Sequence, residues 1–314
     1  MRAAVVSGYG EHPRLGDVPE PEVSGPDEAV VEVLAAALSP RVRSQAAGSH
    51  YTSTGELPLV PGIDGVGRLP SGEPVYFLLP DTNRGAMAER VTVDLRRTVR
   101  LPAGADPVRI AAVMNPAMAS WVALRRRAGF QPGQSVMILG ATGNSGRCAV
   151  QVAKRLGARE IVAVGRGVER MRDLVGQGAT RIVGLDESAE RDLADAGKEV
   201  DVVLDFLWGG PTRKALYAII PNRSREEQLL TWIQIGSVAG LESSIPSAAL
   251  RAVNLRIIGS GQGSVEPRAY RDEIASLATE ILAGAIAVDA RPVPLDEVES
   301  AWAETDGERI VFVP

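Results

Sequence analysis

The chain has 314 residues, enough for about two domains, and its 45% hydrophobic and 23% charged residues are the ordinary balance of a globular protein with a sizeable core. With 34 Lys and Arg against 39 Asp and Glu the net charge is −5, which lacks the basic footprint of a nucleic-acid binder. One cysteine (Cys148) and two histidines (His12, His50) exclude an intramolecular disulfide and a multi-cysteine zinc site, and fit a three-ligand catalytic zinc poorly.

The first ~110 residues read as β-rich, with short β-branched runs such as Val30–Leu34 and Glu89–Val93 separated by Gly- and Pro-rich turns, the pattern of a barrel or sandwich. From Ile110 to Ala128 the chain lacks glycine and predicts a helix, broken near Pro116. Strands and helices then alternate. Strands are predicted at Ser135–Leu139, Ile161–Val164, Arg181–Leu185, Asp201–Phe206, Thr231–Ile235 and Leu255–Ile258. Helices are predicted at Ser145–Leu156, Val168–Val175 and Ser188–Ala196. Apolar strands alternating with amphipathic helices imply an α/β, doubly wound parallel sheet of Rossmann type. The polar segment 221–228 reads as a solvated loop, or alternatively as a partner or substrate lid. A long amphipathic helix, Pro267–Ala283, and a final strand, Arg309–Val313, close the chain. No apolar run of 18 residues occurs and the N-terminal apolar run is too short for a signal peptide, so the cytoplasm is the expected location.

Directly after the first apolar strand comes Gly140-Ala141-Thr142-Gly143-Asn144-Ser145-Gly146, a G-x-x-G-x-x-G relative of the dinucleotide fingerprint. Gly143 would let the backbone approach a pyrophosphate, Gly146 would let the helix pack on the strand, and the helix N-terminus would offer N–H groups to the phosphates. At the end of the second strand, Gly165 stands where a carboxylate would hold the ribose of NAD. Arg166 and Arg170 follow it. That exchange favours a 2′-phosphate, hence NADP(H) as cofactor.

These residues, with Met1–Val6, Pro19-Glu20-Pro21, Val60–Gly67, Gln131–Val136, Ala149–Ala158 and Val202–Asp205, resemble the medium-chain dehydrogenase/reductase superfamily in its zinc-independent quinone oxidoreductase branch. The resemblance covers essentially the whole chain. It implies a GroES-like β-barrel catalytic domain, 1–113 with 264–314, around a Rossmann NADP-binding domain, 114–263. It also implies a homodimer through edge strands of the Rossmann sheets. Zinc-bearing relatives have Cys near 39 and His-Glu at 63–64. Ser39, Ile63 and Asp64 stand here, so no metal is expected. The barrel segment after Gly67 looks shortened.

Hydride transfer without zinc needs position and electrostatics more than a strong acid or base. Tyr51, at the family's G-x-Y position, is expected either to bind a substrate oxygen in the cleft or to pack. Ser39 either orients the substrate or the nicotinamide ribose, or is a turn hydroxyl. Asn115 either binds a carbonyl or caps a helix. Ser120 matches a threonine near the cofactor phosphate. Asp64 is expected to order the Pro61–Gly67 turn, and His50 to lie at the surface beside Tyr51. Phe206, Gly236 and Ser237, at strand carboxyl ends, are expected near the cofactor; Trp208 either walls that cleft or packs. Cys148 reads as a core thiol, and Arg256 and Arg309 as surface charges. The expected activity is an NADPH-dependent reductase of a small-molecule quinone or α,β-unsaturated carbonyl. An enoyl-thioester reductase of secondary metabolism and a non-catalytic NADP(H)-binding sensor are the alternatives.

Overall fold

The structure, a computed structural model, describes residues 1–186, 189–304 and 308–314. The chain divides into two units, Met1–Asn115 with Ile274–Pro314, and Pro116–Glu273. The expected junctions at 113/114 and 263/264 lie nearby; the second crossing falls later, inside a long helix.

The first unit opens with β1 (Arg2–Val5) paired antiparallel to β2 (Arg14–Asp17). It continues through β3 (Glu28–Ala37), α1 (Pro40–Ala46), β4 (Asp64–Arg68), β5 (Pro74–Leu78), β6 (Arg90–Asp94), β7 (Thr98–Arg100) and the start of α2 (Pro107–Val122). In β3, Val31 and Val33 are buried while Glu32 between them is exposed, the period of two that puts one strand face into a core. The second unit holds β8 (Ser135–Leu139), α3 (Asn144–Arg155), β9 (Glu160–Gly165), α4 (Val168–Gln177), β10 (Arg181–Gly184) and α5 (Ala189–Gly197). It continues with β11 (Val202–Asp205), α6 (Gly209–Ile219), β12 (Leu230–Gln234), α7 (Ala249–Ala252), β13 (Leu255–Gly259) and the start of α8 (Pro267–Leu282). The chain then returns to the first unit with β14 (Ala290–Pro294), α9 (Val298–Trp302) and β15 (Arg309–Val313). The helix expected from Ser188 is described from Ala189; Ser188 lies outside the described residues.

Antiparallel pairing dominates the first unit, where a seven-stranded sheet runs β14-β15-β3-β4-β5-β7 with β6 also on β3. Phe77, Met87, Phe312 and Trp302 fill its core. The second unit is a six-stranded, wholly parallel sheet in the order β10-β9-β8-β11-β12-β13. All five residues of the central β8 are buried, as a strand covered on both faces requires. The order reverses between β8 and β11, and ligands of such sheets bind outside the strand carboxyl ends at that point.

Three expectations are corrected. Helix α2 runs through Pro116 without breaking and instead passes at Ala123–Ala128 into a π-helical turn ended by Gly129. Proline takes away one N–H, and burial of the helix outweighs that loss. The segment 221–228 is not a substrate lid. Arg223 is buried and donates to the Gly197 and Val200 carbonyls at 3.0 and 2.7 Å, and Gln228 donates to Asp201 at 2.7 Å. These partners precede the strands, so the segment is pinned at the amino edge, opposite the ligand edge. Arg309 is not a surface charge: it is only 4% exposed, with its positive charge acting on the buried Asp64.

In the second unit, Glu273 of α8 is 1% exposed and accepts from Trp121 Nε1 at 2.7 Å and from Arg125 and Arg126 Nε at 2.6 Å each. Two guanidinium groups and an indole compensate its burial. Among the described residues, no helix is long and apolar enough to cross a membrane.

Candidate active site

At the end of β8, Gly140 takes a φ of +90°, and the amides of Gly140 and Ala141 both donate to the Val164 carbonyl at 2.9 Å. The turn is thereby fastened to β9. Gly143 then caps α3 with no side-chain oxygen over the first helical amides, which leaves that end open to an anion. Gly143 and Asn144 are exposed, Thr142 and Ser145 partly so, and Ala141 and Gly146 are buried. A Cβ on Gly146 would collide with the Gly140 carbonyl oxygen, whereas one on Gly143 would meet the protein only at 3.8 Å. The two glycines therefore differ in kind: Gly146 is required by the fold, and Gly143 leaves room outside it.

The end of β9 carries the specificity argument. A Cβ on Gly165 would lie 2.9 Å from Thr142 Cγ2, so any side chain here would have to push the Thr142 side chain aside, and no carboxylate stands at this position. Arg166 and Arg170 follow, both exposed. Sequence reasoning missed a third guanidinium. Arg147, one turn into α3, reaches the Arg170 carbonyl at 3.4 Å and Asp173 at 3.9 Å. A basic residue in the first turn of the fingerprint helix was the signal available. Cys148, next to it, is buried.

The ends of β11 and β12 meet beside this turn. Ile235 and Gly236 donate their amides to the Asp205 carbonyl at 2.8 and 3.1 Å. A Cβ on Gly236 would lie 2.7 Å from the Phe206 carbonyl oxygen. Phe206 is buried and Ser237 partly buried. The Asp205 side chain is itself fully buried; it accepts from the Leu207 and Trp208 amides at 2.9 Å each, from the Thr212 hydroxyl and from Trp232 Nε1. The second unit thus brings the fingerprint, Gly165, Arg166, Arg170, Phe206, Gly236 and Ser237 to one edge of its sheet. Ser120 departs from expectation. It is fully buried in α2 and its hydroxyl donates to the Ala117 carbonyl at 3.0 Å, so that donor is already committed within its own helix.

In the first unit, Ser39 caps α1: its Oγ accepts from the Val42 amide at 3.2 Å, and only 5% of the residue is exposed. Its hydroxyl proton stays free to be donated. Tyr51 is 85% exposed, with its ring against that of His50 at a centroid distance of 4.4 Å, which argues against the packing-tyrosine reading. His50 lies beside Tyr51 as expected and is partly buried; its Nδ1 accepts from the Thr52 amide at 3.2 Å and lies 2.8 Å from the Thr52 hydroxyl. Burial first, and then Arg41, push the imidazole below its usual pKa. Beside it a small recess is lined by Gln45, Thr52, Pro61, Gly62 and Pro80. Asn115 lies inside α2, partly buried, so it caps no helix. Asp64 does more than order a turn. It opens β4 and is buried, and Tyr76 of β5 donates to its Oδ2 at 2.6 Å. Burial raises its carboxyl, against the lowering effects of Tyr76, Arg309 and Arg41. Among the described residues, no three His, Cys, Asp or Glu side chains are grouped as metal ligands.

No family model matches the chain. A protein of Emericella nidulans named "probable NADPH-dependent quinone reductase" is 30% identical, with all of both chains covered. An acryloyl-coenzyme A reductase of Sulfurisphaera tokodaii is 28% identical over 67% of this chain and 75% of its own. Among solved structures, the quinone oxidoreductase of Thermus thermophilus, also solved in complex with NADPH, superposes with a TM-score of 0.79 at 26% identity over the full length of both chains.

Proposed function

The chain belongs to the medium-chain dehydrogenase/reductase superfamily, in its quinone oxidoreductase branch, and from that premise we propose a zinc-independent, NADPH-dependent reductase of quinones or α,β-unsaturated carbonyls. The observation that carries the cofactor choice is the edge of β9. Glycine stands at 165 in place of a carboxylate, a Cβ there would crowd Thr142, and two exposed guanidinium groups follow it. The donor set fits the cofactor. The uncapped start of α3 offers N–H groups to the pyrophosphate, and Arg166 and Arg170 offer bidentate donors to the 2′-phosphate.

Bound NADPH supplies a hydride from its nicotinamide C4. The chain's own groups bind and orient. The exposed Tyr51 phenol donates a hydrogen bond to the acceptor's oxygen, and the Asn115 amide and the Ser39 hydroxyl proton are further donors for the acceptor. Charge that reaches the acceptor oxygen is stabilised by such donors, and solvent or a hydroxyl returns the proton. No group in this set is a strong base, which suits a reaction that removes no substrate proton.

The test is NADPH and NADH oxidation against a panel of quinones, enones and enoyl thioesters. Preference for NADPH with turnover of a quinone or enone is the expected result; preference for NADH would overturn the arginine argument. The likeness to an acryloyl-coenzyme A reductase favours one second reading, an enoyl-thioester reductase. Turnover of thioesters alone would select it. NADPH binding without oxidation of any acceptor would select a sensor. The reading carries with it a cytoplasmic homodimer joined through edge strands of the parallel sheets, whose oligomeric state sedimentation tests.

A further inference from the structure

Trp208 has a φ of +57° and a ψ of −169°, a region of backbone space that glycine alone visits freely. Among the described residues it is the sole non-glycine with positive φ. Glycines stand at the next two positions, Gly209 and Gly210, yet the strained position itself carries the largest side chain. The surroundings hold it there. Asp205 accepts the Trp208 amide, the Leu207 carbonyl accepts from Ala239, and the Gly209 carbonyl accepts from Ser243. Such strain persists only where neighbours over-determine it, and it gathers at functional sites.

The place of this turn says what the indole meets. Arg166 and Arg170 follow β9, on one side of β8; β11 and β12 lie on the other side. A dinucleotide with its 2′-phosphate at those arginines and its pyrophosphate at α3 extends its other half over the ends of β11 and β12. Trp208 stands there, three residues past β11, and is partly exposed. The other three tryptophans, Trp121, Trp232 and Trp302, are buried at 2%, 0% and 5% exposure.

We propose that the Trp208 indole forms a wall for the nicotinamide end of NADPH and is held in that position against backbone strain. The proposal rests on the NADPH reading above. An aromatic face packs favourably on a planar ring such as the nicotinamide, and the positive φ sets where the Trp208 side chain leaves the backbone at the ends of β11 and β12.

The test uses the full chain with Trp208→Gly and Trp208→Ala, and two probes: NADPH, and adenosine 2′,5′-bisphosphate, which lacks the nicotinamide. Both variants lose the indole, but only the glycine relieves the strain. Both are expected to bind NADPH about fivefold or more weakly, to bind the bisphosphate as the wild type does, and to differ in stability, the glycine variant melting higher than the alanine variant. Unchanged NADPH affinity in both variants overturns the proposal. So does equal weakening of both probes, which signals general damage, and so does a glycine variant that melts no higher than the alanine one. A wild type that binds neither probe overturns the NADPH reading itself, and the proposal with it.

Discussion

A Cβ atom on Gly146 would stand 2.2 Å from the carbonyl oxygen of Gly140, so the fingerprint helix closes on the strand before it only because residue 146 has no side chain. The obstacle is backbone, which cannot swing aside. Gly146→Ala is therefore expected to lower stability by about 1–3 kcal/mol through overpacking, with a lower melting temperature in the absence of any ligand. Gly143→Ala is the contrast, since its Cβ would meet the protein only at 3.8 Å. It is expected to melt like the wild type and to bind NADPH about tenfold more weakly, a difference of about 1.4 kcal/mol. Equal melting temperatures for the two variants would refute the distinction.

Arg166 and Arg170 are exposed, so removing them leaves stability unchanged and acts on the cofactor alone. Charge-assisted hydrogen bonds to a phosphate contribute about 1.5–3 kcal/mol each. The double variant with alanine at both positions is expected to lose NADPH affinity by about a hundredfold or more and to leave NADH affinity within about twofold. Titration of both cofactors at low and high salt checks this, because the NADPH loss shrinks as salt screens the wild-type contact. Arg147→Ala is expected to fall between wild type and the double variant.

Tyr51 is 85% exposed and touches little besides His50. Tyr51→Phe is expected to change stability by less than about 0.5 kcal/mol. Loss of one neutral hydrogen bond to the acceptor predicts a fall of about fivefold to tenfold in kcat/KM, with the NADPH dissociation constant unmoved. An unaltered kcat/KM for quinones and enones removes Tyr51 from the site.

Burial raises the Asp64 carboxyl above its ordinary 3.8, partly offset by the Tyr76 hydrogen bond and the Arg309 and Arg41 charges. The folded chain then holds this proton more tightly than the unfolded chain. Asp64 therefore makes stability fall as pH rises from about 3.8 through the raised folded value, and leaves it lower above. Asp64→Asn keeps an acceptor for Tyr76 and removes the titration. Relative to wild type, the variant is expected to gain stability between pH 4 and pH 7, measured by urea unfolding at both values. A variant that instead loses ground toward pH 7 would show that the arginines outweigh burial.

Much of the site was legible in the sequence because its parts are neighbours along the chain. The strand Ser135–Leu139, the glycine turn and the helix after it are contiguous, and Gly165 with Arg166 follows at the short spacing of one crossover. Local propensity and periodicity read such units directly. The return of the last strand to the first unit was legible through the resemblance.

What the sequence by itself determined is therefore the order of elements, the cofactor fingerprint and the exchange of a carboxylate for guanidinium groups. Tertiary structure alone decided which polar groups are buried and what meets them. Glu273 finds Trp121 across 152 residues, and Arg223 finds Val200 across 23. Arg309 is buried with Asp64, and Trp208 is bent into a glycine conformation by a carboxylate and two loops. The physical reason is that desolvation and strain are properties of the neighbours a residue acquires when distant segments pack. A one-dimensional pattern specifies the residue, but the packed environment sets the free energy of its charge and backbone.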